Sequence, residues 1–349
     1  MDSAVGVLIK GYSNFRDQFE EKNTNILEKH LLLKKTIVIK GEEAAAVFYD
    51  LNKFKRHGAT PKRFQKTLFG EGGVQGLDGE AHLKRKALFM QCMSKESVHS
   101  MNEKFVEILE EYSKKWEGRE EVVLFKEMEE ILLRAACSWV GVNLAPGEVR
   151  NRTALMSMMI DASGGVGLRH YKGRLARKKA EAWIMSMVGE VREKEASAEN
   201  SIFEKFCFYK DPDGKLLDER IVAVEVLNLL RPIVAIARYI TFAALALHQF
   251  PQYVERLRKD ESNLSHMFVQ EVRRFYPFFP FVAAMVKQDF TWNGKKFPKG
   301  RRVLLDLYAT NHDPKIWKNP SAFYAERFFD WDQSPFNFIP QGGGDHDHN

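Results

Sequence analysis

Apolar residues recur at helical spacing through most of this chain. Amphipathic helices are expected at Ala81–Met93, Ser97–Trp116, Phe125–Val140, Val149–Ile160 and Arg174–Glu195. The segment Ile221–His248, IVAVEVLNLLRPIVAIARYITFAALALH, is apolar almost all round, and its length favours a buried helix over a strand. A shorter helix should run through HMFVQEVRRFY. Strand character is sparse. TIVIKG (Thr36–Gly41) is β-branched and precedes a helix through EEAAAVFYD. Past Pro277, FVAAMVKQDFTW and RRVLLDLYAT read as strands, with Asn293-Gly294 as a tight turn between them. DPDGK (Asp211–Lys215) is a turn, ATNHDPKIWKNP a loop, and the last nine residues form no regular element. The pattern predicts a mainly α architecture with a small sheet over residues 1–349, as one large domain or two ordinary ones.

The most informative local feature is Arg231-Pro232, set in the middle of the longest apolar helix. Proline cannot donate to the carbonyl of Asn228, so a kink or opening is expected there. Arginine stays charged, and an unpaired buried charge is costly. Glu225 lies six residues back and off the same face, a poor partner. Arg231 therefore either reaches solvent, pairs with a distant carboxylate, or faces an anion supplied from outside.

Composition narrows the field without deciding it. Hydrophobic content of 44% supports a substantial core. Fifty-three Lys and Arg against 47 Asp and Glu give +6, too mild and too dispersed to imply nucleic acid. The densest basic run, Arg169–Lys179, suits a solvated helix face, or a docking surface for an acidic partner. Cys92, Cys137 and Cys207 lack metal-ligand spacing and imply no disulfide framework, which fits a reducing, cytoplasmic setting. The N-terminus lacks the features of a signal peptide, and Glu225, Arg231 and Arg238 interrupt the best membrane-length stretch, so no membrane anchor is expected.

Several constellations could carry chemistry. Glu271 and Arg274 share a helix face, and Arg327 in AERF (Ala325–Phe328) could complete a Glu–Arg–Arg network that locks a long irregular loop. His82 and Lys86, at i and i+4, are either an exposed polar face or two donors for an anionic ligand. GGVG (Gly164–Gly167) lacks the strand and lysine of a phosphate loop. His346 and His348 could hold a metal weakly but suit a flexible tail better; no metal site is expected.

Together, Glu271-x-x-Arg274, the ERF of AERF, the loop TNHDPKIWKNP and the glycine-rich IPQGGG (Ile339–Gly344) resemble the heme-thiolate cytochrome P450 superfamily. Arg231-Pro232 within LNLLRPIVAIARY, with ATPKRFQKTLFGEGGVQGLDGEAHLKRKALF and GVGLRHYKGRLARKKAEAWI, resembles its bacterial-type fatty-acid peroxygenases and decarboxylases. The resemblance implies heme b and a long-chain fatty acid whose carboxylate is held by Arg231. It also implies hydrogen peroxide as oxidant, with the substrate carboxylate as acid–base group and no dedicated redox partner. Arg231 and Pro232 stand where other members carry an acid and an alcohol. Gln75 matches a glutamine of hydroxylating relatives, which favours α- or β-hydroxylation over decarboxylation. Phe69 and Ile160 match acyl-channel positions, although either could be plain core. His82 and Lys86 match the helix that faces the heme propionates.

Two departures stand out. Ala325 replaces the usual proline before Glu326, an expected small loss of loop stiffness. The cysteine that ligates iron follows IPQGGG in the family, and this sequence stops at Asn349, before that position. The ligand loop, the next helix and the final strands are then expected to be missing from an otherwise intact enzyme sequence. The alternative is an inactive or heme-free remnant that still binds acyl carboxylates.

Overall fold

The structure is a computed structural model, and it describes residues 6, 10–31, 34–163, 165, 167–194, 201–259 and 263–344. The chain forms two compact units, one of Pro61–Thr241 and one of Met1–Thr60 with Phe242–Asn349.

The Pro61–Thr241 unit is helical. Its long helices are Gly79–Cys92, Lys95–Trp116, Leu124–Val140, Val149–Asp161, Leu168–Glu193 and Glu219–Ala235. The last of these is buried nearly all round: Val222 through Arg231, then Val234 and Ala235, are all inaccessible. An apolar circumference dictates this central position. Asp218 caps its start by accepting from the Arg220 N–H (2.9 Å). Leu133, Ala136, Cys137, Met156, Met159, Ala180 and Ile184 pack with it in one core.

Two expectations change here. The helix carries Pro232 without ending, and breaks one turn later at Ile236 before a second helix, Ala237–Gln249. Proline costs about 3 kcal/mol in a helix interior. Each buried Val or Leu returns about 1.5–3 kcal/mol, so packing on all sides overrides one missing hydrogen bond. The helix expected from Arg174 begins instead at Leu168. Leu168 (80% exposed) and Tyr171 (63%) face solvent, and the small Gly173 and Ala176 fill the inner face, so the apolar period is absent from these turns.

The other unit is built on a sheet of strand order β1-β2-β7-β4-β3, comprising β1 (Ile26–Leu31), β2 (Lys34–Ile39), β3 (Phe54–Lys55), β4 (Phe281–Val286) and β7 (Arg302–Asp306). β2 runs parallel to β7, with Ile37 opposite Val303 and Ile39 opposite Leu305; the other pairs are antiparallel. Alternation assigns the faces. Ile37, Ile39, Val303 and Leu305 pack with Phe48, Phe54 and Phe297, whereas Val38 and Leu304 pack with Phe15, Phe19 and Leu31.

FVAAMVKQDFTW proves to be two strands. β4 ends at Val286, and β5 (Phe290–Trp292) pairs only with β6 (Lys295–Phe297). Asn293 (φ 47°) and Gly294 (φ 70°) close that hairpin, not a link to β7. RRVLLDLYAT leaves the sheet at Asp306, whose Oδ1 accepts from the Ala309 N–H (2.8 Å) and starts the helix Leu307–Asn311. The turn at DPDGK is present, with Asp211 Oδ1 accepting from the Asp213 and Lys215 N–H groups. Among the described residues, no helix is long and apolar enough to cross a membrane. His346 and His348 lie outside the described residues.

Candidate functional site

The Glu219–Ala235 helix brings Arg231 into the helical unit with 5% of its surface exposed. It does not reach solvent, and among the described residues it meets no carboxylate: it makes one long hydrogen bond, Nη2 to Asn228 Oδ1 at 3.5 Å, and Nε has no partner. The guanidinium carbon lies 5.7 Å from the centroid of the Phe69 ring, a cation–π contact. Burial, and then the nearby charge of Arg177, push the guanidinium down to about 9. A buried cation without a carboxylate partner carries an uncompensated desolvation cost.

The carboxylate of the helix nearer to Arg231 in sequence, Glu225, is already engaged. Glu225 Oε1 accepts from Arg85 Nη1 at 2.7 Å, and its Oε2 accepts from Asn228 Nδ2 at 3.2 Å. Burial raises the Glu225 carboxyl, and Arg85 opposes that rise. Asn228 Nδ2 also donates to Gln75 Oε1 (3.1 Å). Thus Arg231, Phe69 and Gln75 come together through Asn228. Ile160 packs at the margin of the main helical core, and Pro232 is exposed beside Arg231.

Sequence reasoning passed over Asn228, Arg85 and Arg177. Asn228 stands one helical turn before Arg231, so the i, i+3 spacing was the available signal. Arg85 and Arg177 come from distant helices, and no spacing rule links them to Arg231.

His82 and Lys86 are half-buried on the helix Gly79–Cys92, whose buried face carries Arg85. Leu83 (57% exposed) and Met90 (50%) are apolar and open on the same helix.

In the sheet-bearing unit, Glu271 is fully buried. Its carboxylate accepts from Arg274 Nε (2.7 Å) and Nη2 (2.8 Å), and Arg327 Nε lies 3.0 Å away. The Tyr324 N–H also donates to it (2.8 Å). Arg274 Nη1 donates to the carbonyls of Asn311 (2.9 Å) and Pro320 (3.0 Å), and Arg327 to those of Lys318 (2.7 Å) and Ala322 (2.9 Å). The three side chains thereby hold the irregular 318–324 stretch against the helix Leu264–Phe275. Ala325, where a proline was the usual residue, makes a bond of its own. Its N–H, which a proline would lack, donates to Tyr253 Oη (3.1 Å), and Tyr253 in turn donates to Glu326 (2.9 Å).

The family model for cytochrome P450 matches residues 256–347. Cytochrome P450EX alpha (CYP152N1), solved with myristic acid, is 47% identical with a TM-score of 0.93, covering 100% of this chain and 84% of that one. The chain belongs to the cytochrome P450 superfamily, in its fatty-acid peroxygenase branch. Cytochrome P450SP alpha (CYP152B1), solved with (R)-ibuprofen, is 42% identical with a TM-score of 0.96 over 86% of its length. Among curated relatives, mitochondrial cytochrome P450 4e5 of Drosophila mettleri is 24% identical over 124 residues, and the match spans 24% of that protein.

Heme is the cofactor of this family. The half-buried pair His82 and Lys86, beside the open apolar Leu83, fits the acidic edge of a flat apolar macrocycle. Gly343 fits the close turn that the glycine-rich segment requires: a Cβ there would overlap Ile339 and the Pro335 carbonyl. The thiols do not fit an axial role. Cys92, Cys137 and Cys207 are buried and free, and burial pushes Cys137 and Cys207 up to about 12.

Proposed function

We propose that this protein hydroxylates long-chain fatty acids at the α or β carbon with hydrogen peroxide, the acid being held through its carboxylate at Arg231. The observation that carries the proposal is a buried guanidinium with one long hydrogen bond, an orphaned Nε and no carboxylate partner among the described residues. A carboxylate satisfies its geometry through two parallel N–H···O bonds and removes the cost of its burial. The bound myristic acid of P450EX alpha supports the same ligand class.

Heme, when bound, supplies the iron at which peroxide is split and a C–H bond oxidised. The chain's own residues do the rest. Arg231 fixes the carboxylate head and so restricts the reach of oxidation to the adjacent carbons. Neither Arg231 nor Pro232 can shuttle a proton at neutral pH, so the substrate carboxylate accepts one from hydrogen peroxide and returns it to the departing oxygen. Phe69 shields one face of the guanidinium from water, and Gln75, held by Asn228, offers an amide that does not titrate. His82 and Lys86 would hold the heme propionates. On this reading no reductase is required, and the protein works in the cytoplasm.

The test is Arg231→Ala in the heme-loaded full-length protein, supplied with myristate and hydrogen peroxide, with hydroxymyristate measured by mass spectrometry. Turnover should be lost. Undiminished turnover would overturn the carboxylate mechanism. Myristate binding without oxidation in the wild type would leave a carrier in place of an enzyme.

A further inference from the structure

Arg177 is a further buried arginine of the helical unit, beside Arg85 and Arg231. It projects from the inner face of the helix Leu168–Glu193 and is 2% exposed. Nε donates to Glu181 (2.6 Å) and Nη1 to the carbonyl of Leu68 (3.0 Å), while Nη2 has no partner. The Leu68 carbonyl belongs to the π-helical turn Gln65–Phe69, which ends at Gly70. Gly70 has φ +81°, and a Cβ there would overlap Arg177 Nη2 and lie 2.7 Å from Val224. Arg177 thus holds the backbone carbonyl just before Phe69 and fills the space beside Gly70 just after it.

Phe69 is the ring beneath the Arg231 guanidinium. We infer that Arg177 is a positioning residue that sets how deeply the substrate carboxylate seats at Arg231, and thereby which carbon is oxidised. The inference rests on the anchor reading of Arg231. Two physical effects act together. The planar fork fixes the height of the Phe69 ring, which is the floor under Arg231; a point-charge ammonium cannot hold the Leu68 carbonyl and Glu181 in that geometry. The second positive charge is felt at Arg231, so it also attracts an incoming carboxylate. Of the other charged groups near this cluster, Glu225 pairs with Arg85 and Asn228, Glu181 pairs with Arg177, and Arg220 lies 4.0 Å from Glu181.

Charge and shape are separable by substitution. Arg177→Met removes both, and Arg177→Lys keeps the charge while losing the fork. Myristate affinity is read by calorimetry, and the ratio of α- to β-hydroxymyristate by mass spectrometry. Arg177→Met is expected to weaken myristate on the order of tenfold. Arg177→Lys should keep affinity near the wild-type value and shift the α to β ratio, a readout that general destabilisation would not move. A wild-type product ratio in Arg177→Lys overturns the inference, and so does unchanged affinity in a folded Arg177→Met. Arg231→Ala is measured alongside. Retained binding in that variant marks failure of the anchor itself, whereas lost binding there with unaltered Arg177 variants marks failure of this inference alone.

Discussion

Arg231→Met should make the ligand-free protein more stable while removing its capacity to hold a fatty acid. The guanidinium is 5% exposed, has one 3.5 Å hydrogen bond, and leaves Nε unpaired. Its unfavourable position shows in a guanidinium pushed down to about 9, first by burial and then by Arg177. Replacing poorly compensated buried charge with an apolar side chain of similar length is commonly neutral to stabilising, by up to about 4 kcal/mol. Phe69 and the surrounding aliphatic side chains would pack against the methionine, so about 1–3 kcal/mol is expected here. The acid reverses the balance. At a free concentration of one hundred times its Kd, a ligand adds about 2.7 kcal/mol to the wild type. The variant should gain nothing, because truncating one side of a buried charge pair costs about 2–5 kcal/mol of binding. Urea denaturation with and without myristate measures both quantities. A variant less stable than wild type without acid would mean that Arg231 already has a stabilising partner, and the anchor reading would fail.

The second prediction concerns Ala325→Pro, a change toward the pattern of relatives. It should lower stability by about 1 kcal/mol, since it deletes the N–H that donates to Tyr253 Oη in a fully buried position; an unchanged or higher urea midpoint would contradict the role given to that bond. The third uses pH. His312 is held down to about 3, by burial and then by Arg274, so only the unfolded chain binds its proton between about 3 and 6.5, and this group costs stability as pH falls through that window. Asp306, raised to about 7 by burial, acts oppositely, holding its proton in the folded state and costing stability as pH rises toward 7. His312→Asn should leave the Asp306 slope alone, so that the variant gains stability from pH 7 to pH 4; denaturation midpoints parallel to wild type across that range would refute the assignment.

Much of the architecture could be read from periodicity because helices carry their own signal. The apolar circumference of the Arg231 helix foretold its burial, and Glu271 with Arg274 announced a shared face. Failures came where a residue's partner lies far along the chain. Pro232 looked like a break, yet it stands exposed on a helix whose other faces are packed by its neighbours, and β1 stayed hidden because its strand character emerges only beside β2. The same limit governs the site. Arg231 was visible as an anomaly, and its lack of a carboxylate could be suspected from Glu225's register. Yet that Glu225 is consumed by Arg85, 140 residues away, is a tertiary fact. Gly70 was likewise unremarkable until Arg177 was seen to need the space a Cβ would fill.

The proposed use of hydrogen peroxide as co-substrate would require the protein to survive its own reagent. Thiolates are the side chains peroxide attacks first, and attack requires both deprotonation and access. All three cysteines are buried, with thiols raised by burial, so each is withheld on both counts. Among the described residues the most exposed sulfur belongs to thioethers: Met90 (50%) and Met93 (45%), at the end of the helix that carries His82 and Lys86, and then Met158 (37%). Their sulfoxides would be reversible lesions on a solvent-facing surface. Oxidative wear would thereby be directed away from the packed interior, toward atoms whose modification can be repaired.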